Sequence, residues 1–305
     1  MPGYVLRRVA GFLPVLFVIA SLSFFMMRLA PGGPFDQERA LPEQVRANIE
    51  VRYHLDEPLW RQYLRYLGSV ARGDLGPSFR YPDRSVNELL GLGFPVSLTL
   101  GLCALGIALA VGGTAGILAG LRRNSLVDHL SMSFALFGIS VPNFVLGPIL
   151  MLVFALWLGW LPVAGWGTWR HLILPSATLG MFYAAYVARL TRAGMLEVIG
   201  QDFIRTARAK GLREATVVLR HALPGAMLPV VTYLGPASAA VLTGSVVVET
   251  IFSIPGIGRY FVGGALNRDY TMVLGTVVFY SLLLLIFNLI VDLLYAHLDP
   301  RVQIR

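Results

Sequence analysis

The stretch DFIRTARAKGLREATVVLRHALPGAMLP, residues 202–229, decides how the chain is read. It is basic and helix-capable, carrying Arg205, Arg208, Lys210, Arg213 and Arg220 against Asp202 and Glu214, and it lies between hydrophobic runs long enough to cross a bilayer. Such a segment stays out of hydrocarbon, where each central Arg or Lys costs at least about 2.5–3.5 kcal/mol. It therefore sits in water on one side of a membrane, with spans before and after it.

The whole composition agrees. The 305 residues are 56% hydrophobic and only 14% charged, with a mean hydropathy of +0.67. Soluble domains carry about 25% charged residues, so this is an all-α polytopic membrane protein embedded in a lipid bilayer. Cys103, the single cysteine, lies in an apolar run, which excludes a disulfide framework or a cysteine-based metal site. His54, His129, His171, His221 and His297 show no H-E-x-x-H spacing, and no G-x-x-x-x-G-K-[ST] loop is present. No metal and no cofactor are expected in this chain. The net charge of +8 reflects topology rather than nucleic acid. Residues 30–94 hold eight Arg against nine acidic residues, so the remainder carries 17 basic and 8 acidic residues.

Six spans are expected. Arg7-Arg8 precede an uncharged run over residues 9–27, close to the roughly 20 residues that cross a bilayer. It reads as an uncleaved first span, since a signal-peptide core is shorter and ends in a small-residue cleavage site. Pro31-Gly32-Gly33-Pro34 ends it. Residues 31–94 read as an outer segment with short surface helices. One opens at Pro42, and another is capped by Asp56-Glu57-Pro58 and carries Trp60, Tyr63, Leu64 and Leu67 on one face. Further spans are expected at about 95–120, 131–158, 172–188, 226–248 and 271–297. Gly106, Ala110, Gly113, Gly116 and Gly120 in the second suit close helix packing in lipid.

Charge sets the orientation. Arg7, Arg8, Arg122, Arg123, seven basic residues from 189 to 220, Arg301 and Arg305 fall on one side, against Arg170, Arg259 and Arg268 on the other. The positive-inside rule places both termini and the basic stretch in the cytoplasm. Trp157, Trp160, Trp166 and Trp169 follow the third span and form an outer interfacial belt.

An ion-coupled carrier shows ionisable groups or inverted repeats at a mid-membrane site. Neither is evident, and for Asp292 and Glu249 a role in helix packing or interface anchoring is the stronger reading. A membrane enzyme is disfavoured because no catalytic cluster appears. Ala207 and Gly211 are four apart and share a helix face open to close approach by another protein. Gly211 also lets the chain turn, and Leu223-Pro224 restarts the path into the fifth span. On the residues alone, 202–229 is either an ordinary basic loop or a docking surface.

The triplet Arg205-Thr206-Ala207, then Gly211, then His221-Ala222-Leu223-Pro224, is similar to the E-A-A…G-x9-I-x-L-P loop of permease subunits of binding-protein-dependent ABC importers. Arg for Glu, Thr for Ala and His for Ile are departures that resemble the peptide/nickel branch, where RTARAKG and RHAL recur. FFMMRLAPGGPF (24–35), YHLDEP (53–58), GDLGPSF (73–79), ETIFSIPGIG (249–258), ALNRDY (265–270) and LDPR (298–301) extend the resemblance over essentially the whole chain.

The resemblance implies a type I ABC importer permease fold: a first span (1–30), a periplasmic segment (31–94), a five-helix core (95–297) with a coupling loop (189–225), and a cytoplasmic tail (298–305). It implies an inner-membrane importer of oligopeptides, with dipeptides, glutathione or nickel as the branch's other substrates. The implied partners are a second permease, two cytoplasmic ATPases that hold ATP-Mg, and a periplasmic peptide-binding protein. Arg205, Thr206, Ala207, Arg208, Ala209, Lys210, Gly211, His221, Leu223 and Pro224 are implied to couple to the ATPase. Glu249, Pro255, Gly256, Gly258, Asn267, Arg268 and Asp269 are implied to line the outer mouth and meet the binding protein, with Pro255-Gly256 and Gly258 in a tight turn.

Overall fold

The computed structural model describes residues 2–29, 54–81 and 83–298. The polar helix expected from Pro42 and the tail beyond Leu298 lie outside them. In chain order the helices are α1 (Pro2–Leu29), α2 (Leu59–Ala71), α3 (Val86–Leu121), α4 (Leu126–Ser140) and α5 (Asn143–Trp157). They continue with α6 (Trp169–Ile199), α7 (Asp202–Ala209), α8 (Glu214–Ala226), α9 (Leu228–Ile251), α10 (Ile257–Leu266) and α11 (Tyr270–Leu298).

Among the described residues four helices are long and apolar enough to span, and two bent pairs bring the number to as many as six. The bends correct the expected rods. The third span breaks by 108° between α4 and α5. Pro142 has no N–H to continue a ladder and drives Val141 into an extended conformation (φ −91°, ψ 115°). The fifth bends by 53° between α8 and α9, where Pro229 enters the first turn of α9. The second begins at Val86, with Pro95 inside the helix. The fourth runs to Ile199, so Arg189 and Arg192 are helical rather than loop charges.

Two compact units divide the chain: Met1–Val96 with Gly256–Leu285, and Ser97–Pro255 with Ile286–Arg305.

In the first unit Val86, Leu89 and Leu90 pack with Ile257 and Met272. A Cβ on Gly93 would stand 2.9 Å from the Ile257 nitrogen, so only glycine lets α3 meet α10 there. Phe24 of α1 stacks on Tyr66 of α2 at 5.5 Å, and the Ser21 and Tyr63 hydroxyls share a 2.6 Å hydrogen bond. Of the apolar face expected on α2, Tyr63 packs on Phe24 and Phe25, whereas Trp60 and Leu64 remain exposed. Pro58 occupies the N-cap without a side-chain bond. The preceding turn is tied instead by Gln62, whose Nε2 donates to the Leu55 and Glu57 carbonyls.

The second unit is built on α6. In its most apolar window 61% of the residues are buried, which makes α6 the central helix of this unit. Gly112, Gly116 and Gly120 of α3, spaced four apart, bring that helix against α6. A Cβ on Gly116 would lie 2.5 Å from the Ala188 oxygen, and one on Gly120 would lie 2.6 Å from Met195 Cβ. Of the others expected in this stripe, Gly106 is exposed, and Gly113 is buried with nothing within 4 Å of where a Cβ would stand. A π-helical turn over Ala108–Gly112 interrupts α3 at the start of this stripe.

Candidate coupling site

Helix α7 is short and ends because Lys210 caps it and Gly211 turns left-handed (φ +75°), a conformation that favours glycine. The Gly211 N–H donates to the Arg208 carbonyl at 2.9 Å, and the Leu212 N–H reaches the Ala207 carbonyl at 3.4 Å. Across this turn Arg208 holds Glu214, the first residue of α8, at two points: Nη2–Oε1 2.6 Å and Nε–Oε2 3.1 Å. That fork raises the Arg208 pKa. Arg205 pairs with Asp202 at 3.3 Å on the exposed face.

The two faces of α7 differ. Ile204 and Ala207, three apart, are buried among Val217, Val218 and Ala222 of α8 and Met195 and Val198 of α6. Ala207 therefore faces the protein's own core, and Gly211 lies beyond the helix end. The shared partner-facing surface expected from their four-residue spacing does not form, because α7 stops after Ala209. The outward surface is made by Arg205, Thr206, Ala209 and Lys210 with the apolar side chains of Phe203, Leu212 and Leu219. His221 and Leu223 are half-buried in α8, and Pro224 is exposed.

Below this surface α6 is fastened to its neighbours. A Cβ on Gly194 would collide with the Ala226 backbone, so α6 and α8 cross closely. Arg192 donates from Nε and Nη2 to the two oxygens of the buried Asp128 at 2.6 and 2.7 Å. The Asn124 N–H adds a 3.0 Å bond, and the Ser125 hydroxyl caps α4 by accepting from the Asp128 N–H. The Ser125-x-x-Asp128 spacing is a capping signature visible in sequence, but the Arg192 partner is 64 positions away. Further along α6, Tyr186 stacks on Tyr233 of α9 at 5.5 Å, and Arg189 covers Tyr186 at 4.9 Å.

The residues expected at the outer mouth divide between the units. In the second unit Glu249 is fully buried and accepts from the Ser97 and Ser245 hydroxyls, both at 2.7 Å, while Pro255 is half-buried. The left-handed residue of the following turn is Ser253 (φ +52°). Gly256 has φ −90° and is the N-cap of α10, so the tight turn expected at Pro255-Gly256 falls one step earlier. In the first unit Gly258 is buried within α10. The buried Asp269 accepts from the Ser78 hydroxyl at 2.5 Å, the Thr271 hydroxyl at 2.9 Å and the Met272 N–H at 3.1 Å. Asn267 is exposed, and Arg268 (φ +54°) is half-buried. The two carboxylates hold backbone and hydroxyl groups inside the protein.

These elements offer rigid packing and surfaces rather than a reactive centre. The family of binding-protein-dependent transport system inner membrane components matches residues 112–304. The oligopeptide transport system permease protein OppB of Haemophilus influenzae is 51% identical over 99% of this chain and all of its own length. That of Escherichia coli K12 is 49% identical with the same coverage. The dipeptide transport system permease protein DppB of Bacillus subtilis is 46% identical, over all of this chain and 99% of its own. An inward-facing MetNI methionine ABC transporter structure matches with a TM-score of 0.57 at 17% identity, covering 69% of this chain and 96% of its own.

Proposed function

Because the chain belongs to the family of binding-protein-dependent transport system inner membrane components, we propose that it is the permease subunit through which an ATP-driven importer carries oligopeptides into the cell. The observation that carries this reading is the two-faced α7, whose Ile204 and Ala207 are locked into the α6–α8 core while Phe203, and Leu212 just beyond the helix, are exposed.

A cytoplasmic ATPase subunit would receive the outward surface around Arg205, Thr206, Arg208, Ala209, Lys210 and Gly211, with His221, Leu223 and Pro224 holding α8 behind it. ATP-Mg would be bound and hydrolysed in two such subunits. Their closure would push α7. The push would pass as a rigid-body shift through the Ile204–Ala207 core to α6, and through the Arg192–Asp128 pair to α4. Close-packed interiors transmit displacement rather than absorb it. A second permease would complete the pathway. A periplasmic binding protein would deliver peptide to an outer mouth bearing Asn267 and Arg268, with Asp269 bracing it from inside. The excess of basic residues in the short loops supports both termini lying in the cytoplasm.

The substrate class is supported by the relatives named for oligopeptide transport at 51% and 49% identity. Dipeptides are the second reading, supported by the relative named for them at 46%. Uptake into proteoliposomes holding the assembled importer and its binding protein separates the two. ATP-dependent accumulation of longer peptides supports the proposal, and accumulation of dipeptides alone gives the second reading. Uptake without ATP contradicts both.

A further inference from the structure

The first unit holds a half-open cavity of about 470 Å³ between the last turns of α1, helix α2 and the start of α11. Its lining is rich in hydrogen-bond donors. Arg28 is half-buried with its guanidinium 5.5 Å over the Phe24 ring and 5.4 Å over that of Tyr270, and it meets no carboxylate among the described residues. Arg72 lines the same space, also without an ion pair among the described residues. The nearby acids are partly engaged, although Oε2 of Glu57, off the lining, is a buried acceptor without a hydrogen-bond partner. Glu57 holds Arg65 at 2.6 Å and stands 3.5 Å from His54, and one oxygen of Asp74 accepts from the Gly76 N–H at 2.9 Å.

Two buried polar atoms on the lining lack partners: the Tyr66 hydroxyl and Oε1 of Gln62, a residue 8% exposed. Buried groups of this kind are normally satisfied, and each one left open costs about 1–3 kcal/mol. Burial pushes the Tyr66 pKa up to about 12, so its hydroxyl keeps its proton and donates. The cavity therefore asks for an anion that accepts from arginine and tyrosine and also carries a hydroxyl able to donate to Gln62.

The surroundings say where such a group comes from. The same turns of α1 expose Leu22, Phe25, Met26 and Leu29, and α2 exposes Trp60 and Leu64. Apolar side chains with a tryptophan at the end of a span mark the level where hydrocarbon gives way to headgroups, and basic pockets at that level recognise anionic lipid. We propose that the cavity is a headgroup site for an anionic phospholipid of the phosphatidylglycerol class, with Arg28, Arg72 and Tyr66 on the phosphate and Gln62 on a glycerol hydroxyl. The acyl chains would lie along the exposed apolar residues of α1. The site depends on the membrane location of the chain and not on what it transports.

Native mass spectrometry of the full-length protein, delipidated in mild detergent and offered phosphatidylglycerol and phosphatidylcholine in equal amounts, tests this. The intact protein should retain the anionic lipid in preference to the zwitterionic one. Arg28→Gln and Arg72→Gln should each weaken retention about ten-fold, the loss of one charge-assisted hydrogen bond. Arg72 is exposed at the rim, so its variant tests the site without disturbing packing. Arg61→Gln, on α2 but stacked on Trp60, should change nothing. Equal retention of both lipids, or unchanged retention in both cavity variants, overturns the proposal. Displacement of the lipid by an equal concentration of glycerol phosphate also overturns it, by making the cavity a soluble-anion site.

Discussion

Arg192 and Asp128 form a two-point ion pair, Nε to Oδ1 at 2.6 Å and Nη2 to Oδ2 at 2.7 Å, joining α6 to the first turn of α4. Asp128 is 3% exposed, so removing only one partner strands the other. Arg192→Gln and Asp128→Asn should each lower stability in detergent by about 2–3 kcal/mol. The double variant should lose less than the sum of the two. Thermal unfolding of all four proteins gives the coupling, and strictly additive losses contradict it.

Glu249 is fixed by two serine hydroxyls rather than displayed on a surface. Glu249→Gln keeps an acceptor and should stay within about 1 kcal/mol of the parent, whereas Glu249→Ala leaves Ser97 and Ser245 without it and should cost about 2 kcal/mol. Thermal shift separates the two variants. An alanine variant of unchanged stability that fails only in binding-protein capture would return Glu249 to the mouth.

The glycine stripe gives a steric prediction. Gly116→Val should destabilise the protein by about 2 kcal/mol, because its Cβ meets the Ala188 oxygen. Gly106→Ala, at an exposed site, and Gly113→Ala, buried but with nothing within 4 Å of the added Cβ, should be nearly silent. Folded yield after detergent extraction checks all three.

Much of this was legible in the sequence, and the misses have physical causes. The spans and the basic segment follow from hydropathy and charge, which act residue by residue. The break at Pro142 follows from a local rule that the length of the apolar run from 131 to 158 concealed. Ala207 was misplaced because four-residue spacing assumes that the helix continues, whereas α7 ends at Ala209 before Gly211 turns. The Arg192–Asp128 and Ser97–Glu249 pairs depend on which helices meet, which no local pattern encodes.

Gly211 separates folding from coupling. A side chain there meets open space, but at φ +75° it costs about 1 kcal/mol. Gly211→Asp should fold and reach the membrane yet abolish ATP-dependent uptake, because it places an anion beside the outward surface of α7. Gly211→Asn, which tolerates the same backbone without the charge, should retain uptake. Normal uptake by the aspartate variant would sink the assignment of this turn to coupling.

The most direct test of the central claim is co-purification. The chain is extracted in gentle detergent, and the proteins that accompany it are quantified by mass spectrometry for the parent and for Phe203→Asp, which changes only the outward face of α7. A second permease and P-loop ATPases should accompany the parent, and the variant should lose the ATPases while keeping its thermal stability. Equal recovery of ATPase by both proteins, or a solitary chain that moves solute into liposomes without ATP, would contradict the account.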